Sequence, residues 1–226
     1  MAQSRSAPQR SDPPSRSPAG RVGEGEISTP MVIIWPCPLT LSSYAAYGQQ
    51  IPAPSQACPG CDHRLTGWGG YWRWVRPERL PAQRIWIWRG WCARCGRTQA
   101  LLPSFLFARR LDTNAVIGSA LEQAAGGSGA RPIAQRLGLP HTTVRDWWRR
   151  LRIRAPELLQ AVLAVATGLD PAPVALSTDG TGAVFEALRV AWQRARQRLG
   201  TRLPGRWAFW SLISGGLALA PHTSPP

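Results

Sequence analysis

The sequence contains no lysine. All 27 of its basic residues are arginine, against 12 acidic residues, for a formal charge of +15 over 226 residues. Arginine carries a rigid fork of donors that matches phosphate and guanine, which lysine lacks. A GC-rich genome would also favour arginine over lysine, but codon bias does not explain the shortage of acid. A balance this basic implies polyanionic partners. Long apolar runs are missing as well. The longest, residues 207–220, contains two glycines and falls short of the roughly 18 residues that a membrane span requires. No membrane association is expected. The N-terminus is rich in Ser, Pro and Arg and has no apolar segment of the kind a secretory signal needs. The thiols are therefore expected in a reducing compartment.

Cysteine is scarce, five in all, but four of the five are paired as Cys58-Pro-Gly-Cys61 and Cys92-Ala-Arg-Cys95. Each pair presents two thiols from one tight turn, the geometry a tetrahedral zinc site needs. Four thiolates close the coordination shell and leave no open position for water. One structural Zn2+ is expected, held by Cys58, Cys61, Cys92 and Cys95. His63 is an alternative ligand. A redox pair or a disulfide is the rival chemistry, although a redox Cys-x-x-Cys usually stands alone at a helix N-terminus. Cys37 is left over and reads as a buried or spare thiol.

Composition divides the chain. Residues 1–30 read as a disordered basic tail, with translation beginning at Met31 as the competing reading. Residues 31–55 hold a short strand at 32–35 and a Pro-rich segment. Residues 56–100 form the ribbon: knuckle, strand, turn, strand, knuckle. Tyr71-Trp-Arg-Trp-Val-Arg and Ile85-Trp-Ile-Trp-Arg alternate as half-buried strands do, and Pro77 to Pro81 reads as the turn between them. Their Trp and Arg residues serve either as ribbon core or as a surface for bases and backbone. The expected fold class is α+β: a small four-Cys zinc ribbon followed by an all-α helix-turn-helix domain, residues 101–154. A helical extension, 155–226, completes the chain.

In the second module Asp112 or Thr113 can cap a helix running from 114 to 125. Pro132 suits the first turn of the next, Gly138-Leu139-Pro140 turns the chain, and a third helix follows from His141 to Leu151. Val144, Trp148 and Leu151 are spaced by four and three, one buried stripe. That leaves His141, Thr142, Arg145, Asp146 and Arg149 outward, where the N-terminal part of such a helix meets base edges in the major groove. Arg145 or Arg149 suits guanine, and Asp146 suits cytosine or buttresses an arginine. Arg150, Arg152 and Arg154 follow and would meet phosphates. Double-stranded DNA is the expected partner. In the extension, 157–167 reads as a separate apolar helix. A further helix, 184–199, places Val184, Leu188, Trp192, Ala195 and Leu199 on one face and four arginines on the other.

Cys-Pro-x-Cys, arginine-rich strands, Arg-x-Trp-Cys-x-x-Cys-x-Arg-Thr and a helix-turn-helix together resemble the N-terminal half of DDE-type insertion-sequence transposases. They are closer still to zinc-ribbon plus helix-turn-helix proteins associated with actinobacterial mobile elements. The matching residues are the four cysteines, Arg97, Thr98, the 100–105 run and 131–151. The resemblance implies an accessory or regulatory DNA-binding protein of a transposable element, in the bacterial cytoplasm and nucleoid. A recombinase or transposase is then a possible partner, and a homodimer a possible state. A host transcription regulator and a truncated, non-catalytic transposase fragment are the alternatives. Catalysis is not expected: about 70 residues follow the third helix, too few for a ribonuclease-H-like sheet with a metal-binding acidic triad. Asp179, in a Gly-rich stretch, reads as a turn residue.

Overall fold

The computed structural model describes residues 32–178, 180–200 and 203–220. The expected tail at 1–30 and Asp179 lie outside them. The protein is mixed α+β, with a four-stranded sheet packed beside a set of helices. Strands β2 (Thr66–Val75) and β3 (Gln83–Trp91) form a hairpin, Tyr71 opposite Ile87 and Trp72 opposite Trp86. Both expected strands are therefore present, each longer than its alternating stretch. Strand β4 (Thr98–Pro103) pairs antiparallel with β3. The strand at Val32–Trp35, β1, closes the sheet by running parallel to β4. The order is β1-β4-β3-β2, so residues from before the first knuckle complete the ribbon sheet.

Alternation sets the two faces of the sheet. Val75, Ile85, Ile87 and Leu102 are buried beneath Leu106 and Ala108. On the other face Trp86 and Trp88 lie under helix α1 (Leu41–Tyr47) and the turn after it; Trp88 Nε1 donates to the Ile51 carbonyl at 2.7 Å. The segment expected to be an irregular Pro-rich connection thus contains a helix. Its N-cap is Thr40, whose hydroxyl accepts the Ser43 N–H at 3.1 Å, leaving one fewer orphan donor.

Helix α2 (Asn114–Ala125) is capped by Thr113, one of the two expected candidates. Helices α3 (Ala130–Leu137) and α4 (His141–Leu169) follow. Gly138 joins them with φ 67° and ψ 37°, the left-handed conformation that costs glycine no Cβ clash. Ile117, Leu121, Ile133, Leu137, Val144 and Leu151 pack into one core.

Two expectations are corrected in α4. The helix does not stop near 151 and restart at 157; it runs unbroken through Pro156. Proline removes one backbone donor, and the carbonyl left without it belongs to Arg152. Arg152 and Pro156 are both exposed, which leaves that acceptor on the solvent side of the helix. The buried aromatic of the stripe is Trp147, while Trp148 is half-buried. Indoles at 147 and 148 lie about 50° to either side of the buried stripe, at about 100° per residue, so spacing alone did not separate them.

Helix α5 (Gly180–Leu199) lies against the second half of α4, and α6 (Arg206–Ile213) against α2 and α5. Phe185, Leu188, Phe209 and Trp210 extend the core already built on α2, α3 and α4. On α5 the expected apolar face holds for Val184, Leu188 and Ala195, whereas Leu199 is exposed. Arg194 and Arg198 are engaged: they donate to carbonyls at and beyond the end of α4, including Ala166, Asp170 and Leu169. Cations at a helix C-terminus satisfy orphan carbonyls and the dipole.

Gly118 marks the close approach of α2 and α6. A Cβ there would sit 2.3 Å from the Trp207 ring. Alanine would otherwise favour the helix by about 1 kcal/mol, but overpacking costs about 1–3 kcal/mol. Gly118→Ala is expected to lower the thermal midpoint. A raised midpoint in a melting curve would show that the Trp207 contact is loose.

Candidate functional site

The two knuckles are built alike. In the first, the Cys58 N–H donates to the His63 carbonyl at 2.8 Å, and the Asp62 N–H donates to the Cys58 carbonyl at 2.9 Å. In the second, Cys92 donates to Arg97 and Gly96 to Cys92, both at 2.9 Å. Asp62 and Gly96 both have positive φ, 55° and 67°. Each turn thereby points two thiols the same way. The antiparallel β2–β3 hairpin carries the chain out and back, bringing the second turn over the first.

The four sulfurs lie within 4.8 Å of one another. Cys58 and Cys95 are 3.6 Å apart, Cys61 and Cys92 3.4 Å. A disulfide needs about 2.05 Å. A tetrahedral ion with sulfurs at about 2.3 Å sets them roughly 3.8 Å apart. The cluster fits one metal ion. Cys58 and Cys92 are buried, and Leu65 and Leu101 pack beside them. Despite desolvation, hydrogen bonds from the Cys95 and Arg94 backbone and from neighbouring thiols lower the Cys92 pKa to about 6. Cys61 accepts a backbone hydrogen bond near His63, yet desolvation and the adjacent sulfurs raise it to about 11. Four thiols this close cannot all ionise without a cation among them. His63 is exposed and stands outside the group. Cys37 is buried elsewhere, its backbone N–H donating to the Ser104 hydroxyl, and burial raises its pKa.

The second candidate site is a groove of about 800 Å³ between the sheet module and the start of α4. Thr142, Arg145, Asp146 and Arg149 form its α4 wall; Arg76, Arg109 and Arg110 form the other. Asp146 accepts from Arg149 at 2.7 Å and from Arg150 at 2.8 Å. Those two contacts, Arg150 first, hold its carboxyl below the usual range. Arg145 is exposed, as are His141 and Arg152, but the last two lie outside the groove lining. Arg150 faces Asp146 instead. Arg154 is turned away, donating to the Leu217 carbonyl and pairing with Glu157 at 3.6 Å. Burial, followed by the positive charge of Arg150, pulls the Arg110 pKa down. The groove is thus a place where cations crowd one another.

The sheet-side wall was not anticipated. Its only sequence signal is the Arg109-Arg110 pair. Arg76 directly follows β2 and makes two hydrogen bonds to Asp112, at 2.6 and 3.1 Å; Asp112 is 3% exposed. The Thr113 N–H donates back to the Arg76 carbonyl, and at the hairpin tip Arg79 Nε reaches the Arg136 carbonyl of α3. These contacts fix the sheet against the helices. Asp112→Ala would leave Arg76 half-buried and unpaired, at a cost of about 1–3 kcal/mol. A lower urea midpoint is the expected result; an unchanged one would mean the joint contributes nothing.

Among the described residues no helix is long and apolar enough to cross a membrane. No protein-family model matches the chain, and neither a curated protein nor a solved structure matches it.

Proposed function

We propose that the protein binds double-stranded DNA with sequence preference, through a helix-turn-helix formed by α3 and α4. A structural zinc in the ribbon holds the adjoining basic wall in place. The observation that carries this reading is the groove: the exposed N-terminal half of α4 faces three arginines from the sheet side across an open channel. A helix inserted in the major groove requires exposed donors toward its N-terminus and cations where the phosphates pass. Thr142, Arg145 and Arg149 meet the first requirement, and Arg109 and Arg110 the second. Zinc is the proposed metal because a closed set of four thiolates suits it and leaves no catalytic water.

The resemblance to mobile-element proteins adds the biological context: an accessory or regulatory role, with a recombinase or transposase as partner and pairing of two copies on DNA. No catalytic role is proposed. Among the described residues, the carboxylates after α4's first half are dispersed and engaged: Glu157 with Arg154, Asp170 with Arg194, Glu186 with Ser177. Selection of bound sequences from a random duplex pool tests the function. Recovery of a common motif is expected; an unenriched pool would refute sequence preference.

A further inference from the structure

We propose that the open end of the ribbon sheet is a second phosphate-binding site, in which Arg89 and Arg109 grip the backbone of the same duplex that α4 reads. The proposal rests on the duplex-binding reading and adds a separate contact surface to it. A hollow of about 490 Å³ lies on the sheet face bearing Tyr71, Arg73 and Arg89, and its lining contains no carboxylate. Arg109 lines both this hollow and the groove beside α4, so the two form one basic surface. The acids closest to that surface are already committed, Asp112 to Arg76 and Asp146 to Arg149 and Arg150.

The side chains are prearranged. The Arg89 guanidinium lies over the Tyr71 ring, 5.5 Å from its centroid, which restricts an otherwise exposed side chain. Arg109 holds φ at 57°, unusual outside glycine. Its neighbours clamp it there. The Ala108 N–H donates to the Gly216 carbonyl at 3.0 Å, the Arg110 guanidinium to the Leu219 carbonyl, and Arg73 to the carbonyls of Phe107 and Arg110. The Arg109 side chain itself is exposed. An extended row of donors and cations without opposing acid suits a regular polyanion such as a DNA backbone.

The test compares wild type, an Arg89→Ala/Arg109→Gly double variant and Arg145→Ala on one selected duplex, a scrambled duplex of equal length and the matching single strand. Glycine at 109 preserves the positive φ. Arg84→Ala, on the opposite sheet face, is the control. Each phosphate contact contributes about 0.9 to the slope of log affinity against log salt. The double variant should lower that slope by about 2, so that wild type's drop in affinity between 50 and 200 mM salt exceeds the variant's by about tenfold. Its loss should be equal on selected and scrambled duplexes. A fall of about 1 or less, which losing Arg109 from the α4 groove alone would give, overturns the second site, and so does a loss confined to the single strand. If Arg145→Ala still relaxes base preference in that case, the α4 reading survives. No duplex binding by wild type overturns both.

Discussion

Cys92→Ser is expected to lose bound zinc and the folded ribbon together. Cys92 is buried, adjoins Cys61 at 3.4 Å and lies in the turn joining β3 to β4. The cluster around the knuckles themselves, Leu65 and Leu101 with the two buried cysteines, is too slight to hold them without the ion. Structural zinc contributes about 10–16 kcal/mol in zinc-finger peptides, as much as the roughly 5–15 kcal/mol that stabilises a whole domain. Removing one of four thiolates should therefore reduce zinc from one per chain to a trace. The near-ultraviolet signal of the ribbon tryptophans should collapse. The helices have their own core and should retain most of the far-ultraviolet helical signal. A metal-free Cys92→Ser protein with an intact near-ultraviolet spectrum would contradict the zinc reading. Acid should act in the same direction: zinc binding displaces thiol protons, so affinity falls as pH falls.

The second large effect concerns Arg145. It is exposed on the first half of α4 and lines the basic groove, while Asp146 beside it is occupied by Arg149 and Arg150. That leaves Arg145 as the donor with the least competition for a base edge. A bidentate guanine contact is worth about 1–3 kcal/mol of discrimination. Arg145→Ala should lose roughly that amount on the selected duplex and far less on a scrambled one. Titrations on both duplexes at moderate salt measure the difference. Equal losses on the two would make Arg145 a phosphate contact; no loss on either would remove it from the interface.

The metal site was legible because its chemistry is local. Two thiols two residues apart form a knuckle whatever surrounds them, and four leave no ligand to find elsewhere. The β2–β3 hairpin was legible from alternation. What stayed hidden depended on contacts distant in sequence. β1 and β4 pair across more than sixty residues, and neither run names its partner. α1 was masked by Pro36 and Pro38, although Thr40 followed by Ser43 was a readable cap. The choice between Trp147 and Trp148 required knowing how α4 sits against its neighbours. Pro156 suggested a break because proline usually makes one; its exposed position on a helix packed along α5 removed the need. The sheet-side arginines were missed for the same reason. Arg76, Arg109 and Arg110 meet α4 only after the chain has folded through the ribbon.

The central claim is that α4 enters the major groove with Arg145 against a base. Guanine N7 lies in that groove, so methylating it blocks a side chain there, whereas methylation of adenine N3 marks the minor groove. Methylation interference on the selected duplex is therefore the most direct measurement. Guanine N7 methylation at one or two positions should block wild-type binding and have little effect on Arg145→Ala. Interference confined to adenine N3, or an identical pattern for both proteins, would contradict it.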